Sequence, residues 1–362
     1  MGTVHKRPAL TYAATIQNGA DALMELADYT VAESARPLPS FFIVGPPRTG
    51  TTWIHDVLKQ HVNLPSPTKE TRFFDVHFQR GLKWYRAHFP GSSTDHPMGE
   101  IAPTYFASAQ ARERIAQTIP QAKLVFVFRN PVQRLISLYR VKRAYGLYSW
   151  SLEQALDMDP ELMASGMYAT SLRDWQRTFR KDQMLLTVYD DLRKEPQRYI
   201  DRLSDFICIP RIALSKSQLK RSHSSEAMTE PRSYLVTRMG TTVADWLKAR
   251  RLDNLVAAVR NSALIKLFIG GGSPFKELSQ DVLYRLTEIF RPEVNELETI
   301  LDRDLSAWKT VRTSLVEMPC QARRQQQSSA AGADQMESTG VTQEEIPSDL
   351  NSISSSGRHE IL

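Results

Sequence analysis

A short segment near the start of the chain combines two glycines, an arginine and two threonines in a pattern that can hold an anion. The segment FFIVGPPRTGTTW runs from Phe41 to Trp53 and places Arg48 between Gly45 and Gly50. Small residues between a strand and a helix let a ligand approach the backbone N–H groups, and the helix dipole favours negative charge there. The pattern therefore predicts an anion site. The alternative is a strand-to-helix turn that only needs glycine.

A nucleotide kinase is the natural alternative for such a loop, and two positions disfavour it. A P-loop has a lysine directly after its second glycine and then a Ser or Thr on Mg²⁺, whereas Thr51 stands in the lysine position here. A P-loop NTPase also needs an aspartate after a later strand, but the apolar run KLVFVF, residues 123–128, is followed by Arg129. We therefore predict an anion site without a bound metal. Magnesium dependence would distinguish the kinase.

Two segments resemble the signatures of one enzyme family. GPPRTGTTW resembles the 5′-phosphosulfate loop of sulfotransferases that use 3′-phosphoadenosine 5′-phosphosulfate (PAPS), and FRNPVQRLISLY, residues 128–139, resembles their 3′-phosphate site. The motifs are nearest in style to the glycosaminoglycan-type and bacterial-type soluble members, and the similarity extends over residues 41–308. The resemblance to the PAPS-dependent sulfotransferase family implies PAPS as co-substrate and no metal. It implies these cofactor-binding residues: Arg48, Thr49, Gly50, Thr51, Thr52, Trp53, Arg129 and Ser137.

The resemblance also implies a catalytic base in the E-x-x-F-F-D stretch that starts at Glu70. Glu70 matches the glutamate proposed as the general base in the glycosaminoglycan-type members. A carboxylate beside aromatic residues in a partly apolar cleft has a raised pKa, which suits a base. A surface ion pair of Glu70 with Lys69 or Arg72 is the alternative. His77 and His88 are the nearest histidines, and both fit helix-face positions better.

Arg48 matches the position of the family's catalytic lysine, which implies that it stabilises the leaving phosphate. Arginine keeps the positive charge but cannot donate a proton as lysine can. The implied reaction moves a sulfuryl group from PAPS to a hydroxyl or an amine of a carbohydrate or small-molecule acceptor. A non-catalytic binding protein with the same anion site is another alternative, and it would tolerate loss of Glu70. Whether Arg232 contacts the 3′-phosphate stays open.

Strands that alternate with helices must position these residues. Apolar runs predict strands at residues 41–44 and 123–128 and a strand and turn at residues 184–192, and helical patterns lie at residues 51–61, 75–88 and 131–145. This alternation predicts an α/β chain with a three-layer P-loop-like fold, in which helices flank a central parallel sheet and the part from residue 233 is helical. The predicted domains are an N-terminal helical extension (1–37), a sulfotransferase domain (38–312) and a disordered Ser/Gln-rich tail (320–362).

Composition indicates which kinds of partner and which cellular compartment we expect for this chain. The chain has 362 residues and a formal net charge of +6, which indicates an anionic partner only in general terms. No basic stripe with interleaved aromatic residues is present, so we expect no nucleic-acid partner. No stretch of the sequence has the length and apolarity that predict a membrane-spanning helix. The only cysteines, Cys208 and Cys320, exclude a disulfide scaffold, and we expect a cytoplasmic protein.

Overall fold

The computed structural model describes residues 37–89, 96–222, 229–249 and 271–311, which all belong to one compact unit. The predicted tail lies outside these residues, as does the predicted N-terminal extension apart from its last residue. None of the described helices is long and apolar enough to cross a membrane.

A four-stranded parallel sheet forms the centre of the fold. Its strands are β1 (Phe41–Ile43), β2 (Gly99–Ile101), β3 (Lys123–Phe128) and β4 (Met184–Val188). The spatial order is β2-β1-β3-β4, so β1 and β3 lie inside and the other two strands lie at the edges. In the register, Phe41 lies opposite both Gly99 and Lys123. The carboxyl ends of all four strands therefore meet at one edge of the sheet.

Helices connect the strands and continue after them. They are α1 (Thr51–Leu58), α2 (Gly81–Arg86), α3 (Ala109–Thr118), α4 (Pro131–Ala144), α5 (Leu152–Met158), α6 (Glu161–Ala164), α7 (Tyr168–Thr178), α8 (Tyr189–Lys194), α9 (Pro196–Ile207), α10 (Lys216–Ser222), α11 (Tyr234–Ala249) and α12 (Gln280–Leu301). Short 3₁₀ turns lie at Phe78–Arg80, Pro103–Tyr105, Lys181–Gln183 and Ser306–Trp308, and a π-helical turn lies at Phe73–His77. A separate antiparallel pair joins β5 (Thr229–Pro231) to β6 (Gly271–Pro274).

The core lies on both faces of the sheet, which explains why its strands are continuous apolar runs. On β3, Phe126 and Phe128 point into a layer that α3, α7 and α12 cover. Val125 and Val127 point to the opposite face, where α1 and α9 pack. Successive side chains of a strand alternate between faces, so KLVFVF supplies both layers at once. The predicted three-layer arrangement with a central parallel sheet is confirmed.

Two predicted helical regions differ in the structure. The predicted helix at residues 75–88 is broken into the π-helical turn, the 3₁₀ turn and α2, and Gly81 between them has a φ angle of 75°. A positive φ interrupts a right-handed helix, and glycine adopts it without steric cost. The region after residue 233 contains β6 besides its helices, because Gly271–Pro274 pairs with β5. The residues that precede β6, 250–270, lie outside the described ranges.

Candidate active site

The loop between β1 and α1 runs against the backbone of β3. Val44 N donates a hydrogen bond to Val125 O at 2.9 Å. A Cβ atom on Gly45 would lie 2.6 Å from the backbone N of Val127. A side chain cannot fit in this space unless the strand or the loop shifts, so glycine keeps the loop against the sheet.

Two residues with positive φ angles shape the tip of this loop. The φ angle is 75° at Arg48 and 91° at Gly50. Left-handed backbone within a loop can turn successive N–H groups to one side, which creates a concave anion site. Gly50 is the N-cap of α1 and no side chain caps this helix. The first-turn N–H groups, including those of Thr51 and Thr52, therefore remain suited to an anionic ligand.

Arg48 joins the two predicted halves of the cofactor site. Its Nε atom donates a hydrogen bond to Ser137 Oγ at 3.0 Å, although the two residues are 89 positions apart. Its carbonyl oxygen accepts a hydrogen bond from the Arg129 guanidinium at 3.2 Å. Arg129 at the end of β3 and Ser137 on α4 are thus both linked to the loop. The sequence pattern indicated a pairing of Arg129 with Ser137 and gave no signal for the contacts through Arg48.

Arg129 has a donor that indicates where a ligand binds. Its guanidinium lies over the Tyr189 ring, 4.8 Å from the ring centroid. Its Nε atom is buried and has no hydrogen-bond partner among the described residues. A buried donor without a partner is costly, so an acceptor such as a phosphate oxygen would satisfy it.

Tyr189 is a site residue that sequence analysis missed. Its ring contacts Arg129 and also lies close to Gly50. A Cβ atom added to Gly50 would be 2.9 Å from this ring. Tyr189 directly follows β4, and ligands of open α/β sheets bind beyond the carboxyl ends of the strands. The position of Tyr189 directly after an apolar strand was the signal from which its role in the site could have been predicted.

The remaining predicted cofactor residues differ in what they can offer. The Thr49 side chain is buried, and its hydroxyl donates to Pro46 O at 2.8 Å. The Thr52 side chain is exposed. Trp53 is mostly buried, and its Nε1 donates to the carbonyl oxygen of Gln218 at 2.9 Å. Their roles as cofactor contacts stay predictions.

Lys69 and Glu70 lie beside the anion loop, the segment 44–50 between β1 and α1. Lys69 Nζ donates a hydrogen bond to Thr52 Oγ1 at 3.3 Å, and both Lys69 and Glu70 are half-buried. Burial raises the pKa of the Glu70 carboxyl above its ordinary value, against the opposing effects of Lys69 and Arg72. Burial lowers the pKa of the Lys69 ammonium, and the Glu70 carboxylate opposes this shift. A carboxyl with a raised pKa suits proton abstraction.

The histidines near the site fall into two groups. His55 on α1 was missed by sequence analysis, and burial together with Lys69 lowers its pKa, which favours a neutral imidazole. It lies one turn after the helix start, a spacing that puts it on the same helix face as Thr51. His77 and His88 instead pack against Trp84, with ring centroids 5.4 and 4.2 Å away.

These contacts bring a cationic loop and a half-buried carboxylate into one site. Oriented N–H groups and guanidinium groups stabilise charge that develops on a leaving anion. A carboxylate with a raised pKa can accept a proton from an attacking group. The arrangement therefore suits the transfer of an anionic group to an acceptor that loses a proton.

Comparisons with known proteins agree with this chemistry. The family model of the sulfotransferase domain matches residues 38–247. The bovine bifunctional heparan sulfate N-deacetylase/N-sulfotransferase 2 is 33% identical over 196 residues, which cover 48% of this chain and 22% of that protein. Human heparan sulfate glucosamine 3-O-sulfotransferase 6 is 31% identical over 189 residues, which cover 50% of this chain and 55% of that protein. The chain thus spans about a fifth to about half of these relatives' lengths.

One solved structure shares the fold over most of the chain. A sulfotransferase from Alicyclobacillus acidocaldarius superposes with a TM-score of 0.54 at 20% sequence identity, and the match covers 76% of this chain and 100% of that one. This likeness shows the common fold.

Proposed function

Because the chain belongs to the sulfotransferase domain family, we propose that it transfers a sulfuryl group from PAPS to an amine or hydroxyl of a heparan sulfate-type carbohydrate. The observation that carries this proposal is the meeting of Arg48, Arg129 and Ser137 at one loop, with Lys69 and Glu70 beside it.

The residues present fit the two phosphate groups of PAPS, the 3′-phosphate and the phosphate of the 5′-phosphosulfate. The buried Nε atom of Arg129 lacks a partner among the described residues, and an arginine donor suits a phosphate dianion. Gly45 and Gly50 let the loop come close to neighbouring groups without a Cβ clash. In this proposal Arg129 and Ser137 hold the 3′-phosphate, and the backbone N–H groups at the start of α1 hold the 5′-phosphosulfate.

The transfer itself needs a base, an oriented acceptor and charge stabilisation. The acceptor nitrogen or oxygen forms a bond to sulfur while the bond from sulfur to the bridging phosphate oxygen breaks. Glu70 takes the acceptor proton, and adenosine 3′,5′-bisphosphate leaves. Arg48 stabilises the negative charge on the leaving phosphate, but it does not protonate it, because a guanidinium keeps its protons.

The acceptor class is proposed from the relatives and from the charge near Glu70. The curated relatives carry heparan sulfate in their names. Beyond Glu70, the exposed Arg80 lies in the segment that leads to Trp84, and its guanidinium lies over that ring at 5.1 Å. Arg72 is exposed as well, but it pairs with Asp75 at 2.9 Å. Exposed cationic groups attract an anionic glycan chain and steer it to the site.

The test is a transfer assay in the presence of EDTA. The protein is incubated with PAPS and with either N-desulfated heparan sulfate, which offers free amines, or N-sulfated heparan sulfate, which offers hydroxyls. We expect sulfate incorporation into one of them, with one adenosine 3′,5′-bisphosphate formed per sulfate. The Glu70→Gln variant should bind adenosine 3′,5′-bisphosphate normally and transfer sulfate about 100–10,000-fold more slowly, at a rate that remains measurable. No transfer to either chain, or phosphate transfer from magnesium-ATP in a parallel assay without EDTA, would refute the proposal.

A further inference from the structure

A buried carboxylate lies directly behind the segment that carries Glu70. Glu100 is the middle residue of β2, and its side chain is fully buried. It lies opposite Phe42 in the sheet register, on the face covered by aromatic residues. A carboxylate in such surroundings is costly to bury unless donors satisfy it, and burial raises the pKa of Glu100.

Hydrogen bonds to Glu100 come from three separate parts of the chain. Its Oε1 accepts from Thr71 N at 2.9 Å and from Thr71 Oγ1 at 2.6 Å. Its Oε2 accepts from the Tyr85 hydroxyl at 2.7 Å. The Tyr105 hydroxyl lies 3.3 Å from both oxygens and accepts a hydrogen bond from Phe74 N. The carboxylate is therefore the centre of a network that holds the turn after Glu70.

This turn requires such support. Arg72 has a φ angle of 52°, a left-handed conformation that is unfavourable for a residue with a side chain. Thr71 Oγ1 also accepts a hydrogen bond from Phe73 N at 3.1 Å, which closes the turn over Arg72. On the other side of Glu70, Lys69 is tied to Thr52 at the start of α1. Glu70 thus lies between two anchors, one on the anion loop's helix and one on β2.

We propose that Glu100 is a positioning residue for sulfuryl transfer: it clamps Thr71 and thereby holds the neighbouring Glu70 carboxylate in place for proton abstraction. An apolar side chain of similar size at position 100 would fill the core without the cost of a buried charge. The carboxylate instead holds one backbone conformation. This inference rests on the proposed function, because it gives Glu100 a task only if Glu70 is the base.

A matched control exists elsewhere in the molecule. Glu293 on α12 is also buried and clamps a threonine in the same way, accepting from Thr170 N at 3.0 Å and from Thr170 Oγ1 at 2.6 Å. Thr170 lies on α7 and not beside Glu70. Glu293→Gln therefore weakens the same kind of contact without acting on the base.

The experiment measures kcat with PAPS and with whichever of the two heparan sulfate acceptors the wild type sulfates. Misplacing a catalytic group by about 1 Å can cost about 100-fold in rate, so we expect Glu100→Leu to lower kcat about 100-fold and Glu100→Gln, which keeps one acceptor oxygen, about 10-fold. The affinity for adenosine 3′,5′-bisphosphate should stay within about twofold of wild type in both variants, because neither touches the anion loop. Glu293→Gln should leave kcat unchanged.

The decisive readout is a double-mutant cycle. If Glu100 acts through Glu70, Glu100→Gln lowers kcat in the wild-type background and lowers it no further in the Glu70→Gln background. An equal loss in both backgrounds, or a wild-type kcat in Glu100→Leu, would overturn the proposal. If Glu100→Leu does not fold, Thr71→Val removes the hydroxyl donor with little change in shape and should lower kcat about 10-fold. Failure of the proposed function shows itself separately, as absent transfer by the wild type or an unchanged kcat in Glu70→Gln.

Discussion

Replacement of Arg129 by alanine tests whether the loop and the end of β3 form one nucleotide site. Arg129 already contacts the loop without a ligand, through its hydrogen bond to the Arg48 carbonyl at 3.2 Å, and its guanidinium lies over the Tyr189 ring. Its buried Nε atom has no partner among the described residues, and we assign this donor to the 3′-phosphate. The substitution therefore removes two different contributions, and a pair of ligands can separate them.

The two contributions act on different ligands. Both hydrogen bonds have the charged Arg129 guanidinium as donor, and a hydrogen bond that involves a charged group contributes about 1.5–3 kcal/mol. Since about 1.4 kcal/mol is tenfold in Kd, loss of the first weakens any ligand of the loop, by at most about 140-fold. Loss of the second weakens only a ligand with a 3′-phosphate, by a further factor of about 12–140.

The assay is calorimetric titration with adenosine 3′,5′-bisphosphate and with adenosine 5′-monophosphate, which lacks the 3′-phosphate. We expect Arg129→Ala to reduce the preference for the bisphosphate at least about tenfold. Arg180→Ala is the control, since Arg180 pairs with Asp182 just before β4, at the opposite edge of the sheet, and both affinities should stay unchanged. Equal weakening of both ligands by Arg129→Ala would refute the assignment, because Arg129 would then act only by holding the loop.

Two further predictions follow from the loop and the base. The value of kcat/KM should rise with pH through a pKa above the ordinary glutamate value, because burial raises the pKa of Glu70 and only the deprotonated carboxylate accepts a proton; a pH profile of the wild type measures this, and an inflection at or below the ordinary value would contradict it. Gly45→Ala should lower the free energy of unfolding by about 1–3 kcal/mol in urea titrations, since the new Cβ would lie 2.6 Å from Val127 N. Gly240→Ala on α11, where a Cβ would meet nothing within 4 Å, should instead stabilise the protein slightly, and equal effects of the two substitutions would argue against the steric reason.

Local patterns predicted three of the four strands of the central sheet and missed β2, the strand Gly99–Ile101. The apolar runs at residues 41–44 and 123–128 are buried on both faces, and such strands are recognisable because every position is apolar. The glycines and Arg48 are neighbours in sequence, so their joint role could be inferred before the fold was known. The resemblance to the sulfotransferase family, which rested on this loop and on residues 128–139, is confirmed by the family match.

The segment after Glu70 shows where local patterns were insufficient. Its helical periodicity predicted one helix at residues 75–88, but the chain forms a π-helical turn, a 3₁₀ turn and the short helix α2. Phe73 and Phe74 are fully buried against Tyr85, with ring centroids 4.4 and 5.3 Å away. The burial of these rings and the contacts to Glu100 outweigh the helical preference of the segment, and tertiary packing routinely does so.

The sequence by itself determined which groups this protein has for chemistry: an anion loop with an arginine, a second arginine after β3, and a glutamate beside aromatic residues. Only the tertiary structure decided how these groups meet. Arg48 contacts Ser137 across 89 positions, Tyr189 supports Arg129 from the end of β4, and Glu100 holds Thr71 across 29 positions. The physical reason is that residue type and spacing specify short-range conformation, whereas hydrogen bonds between distant segments exist only after the packed sheet brings strand ends together.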